Sequence, residues 1–147
     1  MDHTLALRSL IDEYLCQVDQ LLRDAKPSDG LLGMGKAPQH DPCHEAFDQQ
    51  VEACLSSAAA QELSSSEASN LAEILLFSEK LRDVPLCAGW MLIAVHRHCL
   101  LLVPLLTAQA AADLYERYRK AYPIHRRLPV QRELLKALQQ RIKLAGD

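Results

Sequence analysis

Three clusters of side chains in this 147-residue chain carry groups able to do chemistry. The first is His40-Asp41-Pro42-Cys43-His44. A cysteine in the first turn of a helix meets unpaired N–H groups and the positive end of the dipole, which favour thiolate, and a neighbouring imidazole can act as its base. Cys43 is therefore the candidate nucleophile. His40, Cys43 and His44 are the candidate metal ligands, and zinc is the ion that thiolate and imidazole suit. Against this, Asp41 and Glu45 stand beside the thiol and oppose thiolate formation. Neighbours in sequence rarely converge on one ion, and no Cys-x-x-Cys or helical His-x-x-x-His elsewhere completes four ligands.

The second cluster is His96-Arg97-His98, in the middle of an apolar run with Trp90 two turns upstream. Three successive helical residues cover about 200° of circumference, so they cannot share one wet face. At least one must be buried with a hydrogen-bond partner, since an orphaned buried polar group costs about 1 to 3 kcal/mol. These residues and Trp90 are candidates for the polar floor of a pocket between helices. The plainer reading pairs Arg97 with a carboxylate from an acidic helix and leaves both histidines structural.

The third cluster is a charge asymmetry. Residues 117–143 hold nine Lys and Arg against one acid, a charge of +8, while residues 1–116 carry −10 and Asp147 completes the net −3. Tyr118, Arg119, Arg126, Arg127 and Arg132 are the candidate interaction residues within it. Basic side chains with interleaved tyrosines suit phosphates and bases. However, the stretch between the two basic helices is too long for a helix-turn-helix, and the acidic remainder would repel a polyanion. Pairing with acidic helices of the same or a second chain is the better expectation. The run Gly33-Met34-Gly35-Lys36 lacks phosphate-loop spacing, and no strand precedes it.

The elements that position these groups are all helical. From Thr4 to Ala25 the apolar residues recur at three and four. Residues 26–41 hold too many Gly and Pro for regular structure and form a long loop, whose Leu31, Leu32 and Met34 predict docking on the helices. Asp41-Pro42 opens a second helix with the stripe Phe47, Val51, Cys54, Leu55 and Ala58. Ser64 and Glu67 form a capping box for a third, with the stripe Leu71, Ile74, Leu75 and Leu81.

The fourth helix, 85–103, is apolar on nearly every face, so it belongs in a core or a bilayer. Arg97, two histidines and Pro104 favour the core, where Leu92 and Leu101 are expected. Thr107 caps a fifth helix to Tyr122, and Pro129 opens a sixth with Val130, Leu134, Leu138 and Ile142.

The expectation is one all-α domain over 1–147, with about six helices around the central helix 85–103, as a bundle or as three stacked hairpins. Ser64, Leu71 and Glu73 echo Thr107, Leu114 and Glu116 at a spacing of 43 residues, within the range of helical-repeat arrays. Five cysteines without paired spacing, and no signal-like start, point to reducing cytoplasm. The expected function is a non-enzymatic protein-interaction or regulatory module, binding a protein partner or a second copy, with no membrane. A metal- or thiol-dependent enzyme built on 40–44 is the alternative, and nucleic-acid binding through 117–143 a further one.

Overall fold

Why most of the helices start where they do is visible at their first turns. In the computed structural model, which describes residues 2–24, 42–84, 88–122 and 128–145, Asp2 opens α1 (His3–Asp24), its Oδ1 accepting from the N–H of Thr4 at 3.0 Å. Pro42 occupies the first position of α2 (Pro42–Ala60). Ser64 caps α3 (Ser65–Phe77) by accepting from the N–H of Glu67 at 3.2 Å. The return half of the expected box differs, because Glu67 Oε1 accepts from the Ser64 hydroxyl. Thr107 caps α6 (Ala108–Ala121) through the N–H of Ala110 at 3.1 Å, and Pro129 opens α7 (Pro129–Ala145).

The third helix is shorter than its apolar stripe. It stops at Phe77 because Ser78 turns extended and its hydroxyl caps a separate single turn, α4 (Glu79–Arg82), which carries Leu81. α5 (Ala88–Leu102) then runs into a 3₁₀ turn, Val103–Leu105, at Pro104. Among the described residues there is no strand, and the chain is all-α with six helices longer than one turn.

The helices pair as hairpins, α1 with α2, α3 with α5, and α6 with α7. Tyr14 stacks on Phe47 at 4.5 Å while Cys54 Sγ points at the carbonyl of His3, so α1 and α2 run antiparallel. α3 and α6 lie side by side and parallel: Ser65 Oγ accepts from the N–H of Thr107 at 2.9 Å at one end, and Arg117 meets Glu73 at 2.9 Å two turns on. α2 and α5 are also parallel, through the pairs His44–Trp90 and Asp48–His98. Arg141 Nε donates to the carbonyl of Leu106, which holds the C-terminal part of α7 against the turn that follows α5. The result is two layers, α1-α3-α6 over α2-α5-α7, made of three stacked hairpins. The core between the layers holds Leu7, Leu55, Leu71, Met91, Leu102 and Leu138, all at most 2% exposed.

α5 is central, packing on α2, α3, α4 and α7, but it is not covered on every side. Gly89, Ile93, Arg97 and Leu101 recur at four and form one open stripe, with Leu101 53% exposed. Placing Leu101 in the core is therefore corrected. The position falls between α2 and α7, which flank α5 in its layer without meeting over it. No helix of the described residues is long and apolar enough to cross a membrane. The loop at 26–41 and its expected docking, His40 with Asp41, the start of the 85–103 helix, and Arg126 with Arg127 fall outside the described residues.

Candidate functional site

His96 is the polar node of the core. It is fully buried on α5, with Nδ1 at 2.7 Å from the Leu92 carbonyl and Nε2 at 2.7 Å from the Tyr118 hydroxyl. A carbonyl only accepts, so Nδ1 carries the proton and Nε2 accepts from Tyr118. Tyr118 stacks on Tyr122 at 4.6 Å, and the Tyr122 hydroxyl donates to the carbonyl of Leu76. Burial pushes the His96 pKa down, against a smaller opposing effect of the Leu92 bond. Burial pushes the Cys54 and Cys99 thiols up, and that of Tyr122 up as well. Burial thereby favours the neutral form of each of these groups.

A stability consequence follows from His96. In the unfolded chain an imidazole titrates near pH 6.5, and in the fold His96 titrates lower, so below that pH the unfolded state takes up a proton that the native state refuses. The contribution is complete above about pH 6.5 and is lost as pH falls through that value towards the lower folded one. Urea midpoints measured from pH 8 to 5 are expected to fall for the wild type more steeply than for His96→Gln. Equal slopes would contradict this.

The other histidines divide. His98 Nε2 donates to Asp48 Oδ1 at 2.7 Å, joining α5 to α2. The expected pairing of Arg97 is thus corrected: Arg97 is exposed and makes no ion pair among the described residues, and its neighbour takes the acid. His96 and His98 leave α5 on different sides and do not share a pocket floor with Arg97. Trp90 instead packs edge-on against His44, ring centroids 4.6 Å apart. Cys43 is half-buried at the start of α2. Among the described residues no three His, Cys, Asp or Glu side chains come close enough to hold a metal ion. His3 is also buried, and neither of its ring nitrogens finds a hydrogen-bond partner among the described residues.

Of the described bases in 117–143, only Arg117 reaches a carboxylate on another helix, Glu73, while its guanidinium lies 4.5 Å above the Phe77 ring. Arg119 lies over Tyr115 and 3.9 Å from Glu116 on its own helix. Arg132, Lys136 and Lys143 are exposed on α7. Tyr118 is corrected as an interaction residue, because it is wholly buried and offers no face to a base.

A broad concavity lies elsewhere, along the outer side of the α1-α3-α6 layer. It is an open groove of about 770 Å³. Ile11, Ile74 and Phe77 supply apolar surface, Thr4 and Asn70 stand among its polar residues, and Arg117 of α6 contributes to its wall. Lys80 is 3.7 Å from Asp12, and Arg117 holds Glu73. Arg8 and Glu79, also lining it, make no ion pair among the described residues. None of Arg8, Asn70, Phe77 or Glu79 was singled out by sequence. A smaller apolar cavity of about 310 Å³ lies between α3, α4 and α5, beside Tyr122.

Comparison with known proteins returned no family model, no curated protein and no solved structure that matches this chain.

Proposed function

We propose that this chain is a non-enzymatic interaction module of the cytoplasm that holds a segment of a partner protein in the groove along α1 and α3. The observation that carries the reading is the groove itself, spanning parallel helices of one layer of a hairpin stack. Stacked hairpins present such extended surfaces because each repeat adds a helix to the same side. Specificity would come from an apolar anchor on Ile11, Ile74 and Phe77, with charges at either side. The unpaired Arg8 and Glu79 call for a segment carrying an acid on one side of the anchor and a base on the other. None of the groups with shifted pKa lines this groove, the nearest being Tyr122, whose ring packs behind Phe77 at 6.5 Å.

Selection from a random peptide library on the purified protein tests the reading. Recovered peptides are expected to share the acid–apolar–base order, and to lose at least tenfold in affinity, about 1.4 kcal/mol, with Phe77→Ala. Arg8→Glu is expected to weaken them and Lys136→Glu to leave them unchanged. Failure to recover peptides, or binding indifferent to Phe77 and Arg8, would overturn it.

A further inference from the structure

The stack has two end faces, and they carry opposite charge. On α1, Glu13, Gln17, Gln20 and Asp24 are all exposed. They stand roughly 180° to 240° round the helix from Ile11, at about 100° per residue. Ile11 lines the groove that α1 shares with α3, so these four face outward from the first hairpin. The adjoining surface of α2, opposite the His44 and Asp48 side that meets α5, exposes Ala46, Gln50 and Ala53. No base lies among these seven residues.

On α7, Arg132, Lys136, Gln139 and Lys143 are likewise exposed, with the same spacing of four, three and four. They stand roughly 160° to 220° from Arg141, which is tied to Leu106 in the turn after α5, on the side where α7 packs on α5. Gln139 donates to the Tyr115 hydroxyl of α6 at 3.0 Å, and Arg119 lies over that ring, so the basic face continues across both helices of the last hairpin. Arg132, Lys136 and Lys143 make no ion pair among the described residues.

We infer that copies of this chain associate head to tail, the acidic α1/α2 end of one against the basic α6/α7 end of the next. Each end face is built from two helices, as are the faces that hairpins already bury against one another inside the stack. The contact joins unlike surfaces, so each addition leaves one free end of each kind and the assembly grows instead of closing as a two-fold dimer. A polyanion fits the basic face less well, because the acidic hairpins stand behind it. This inference does not depend on the groove, since no end-face residue lines it.

Sedimentation velocity on the full chain tests the inference, with helical content checked by circular dichroism for every variant. The wild type is expected to gain mass with concentration at about 0.1 M salt and to return to single copies near 1 M, where screening shortens from roughly 10 Å to 3 Å. Arg132→Glu with Lys136→Glu, and separately Glu13→Lys with Asp24→Lys, are each expected to remain single copies at 0.1 M salt. An equimolar mixture of the two is expected to assemble again, because both contacts are then attractive. A wild type that stays single at every concentration would overturn the inference, as would a salt-insensitive closed dimer or a mixture that fails to assemble. Random-sequence duplex DNA binding the wild type, and lost with the α7 variant, would assign the basic face to nucleic acid instead.

Discussion

Replacing Tyr118 by alanine is expected to cost about 3 to 5 kcal/mol of stability, the range for removing a large buried ring. Tyr118 is fully buried, stacks on Tyr122 and supplies the hydroxyl that His96 Nε2 accepts. Deleting the ring leaves a cavity between α5 and α6 and orphans a buried imidazole nitrogen. Tyr118→Phe separates these effects, since it keeps the ring and removes only the hydroxyl, at an expected cost of about 1 to 3 kcal/mol. Against a total of about 5 to 15 kcal/mol for a domain of ordinary stability, the alanine change removes a large fraction. Urea unfolding of the two variants checks the order. A Tyr118→Ala loss no greater than that of Tyr118→Phe would mean that the ring is not packed as described.

Leu101 and Leu102 are expected to behave as opposites although they are neighbours of one type. Leu102 is 1% exposed between the layers and Leu101 is 53% exposed on the open stripe of α5. Leu102→Ala should cost about 2 to 5 kcal/mol through lost contacts and the cavity left behind. Leu101→Ala should fall within about 0.5 kcal/mol of the wild type, as surface changes do. Comparable losses from both would show that α5 is covered on the side that this structure leaves open.

The helices were readable because their signals are local. Asp2 was the exception, since the first turn of α1 forms one residue earlier than periodicity suggests. Ser64, Thr107 and Pro129 announce their helices through capping chemistry that depends on a few adjacent residues. The break at Ser78 was hidden, because Leu75 and Leu81 keep the apolar rhythm across it while the serine side chain caps the next turn.

The stack was half-legible. Ser64 and Thr107 cap equivalent helices of successive hairpins, which explains their 43-residue echo. Asp2, the equivalent cap of the first hairpin, stands 62 residues before Ser64, so residues 26–41 break the period and leave only two matching copies. The wet face of α5 was invisible for a different reason: Ile93 and Leu101 are apolar, so composition places them inside although no helix among the described residues covers them. The groove was not legible at all. Arg8, Asn70 and Phe77 sit on the shoulders of their helices, and only the side-by-side placement of α1 and α3 makes them one surface.

The central claim, that the groove receives a partner segment, is tested most directly through isoleucine methyl resonances, of which the chain has five residues' worth. Ile11 and Ile74 line the groove, Ile93 lies on the open stripe of α5 and Ile142 is half-buried on α7. On titration with a library-selected peptide, the Ile11 and Ile74 methyls are expected to shift and to saturate together, with those of Ile93 and Ile142 unmoved. Saturating shifts at Ile93 or Ile142 with Ile11 and Ile74 unchanged would place the partner on another face and contradict the account.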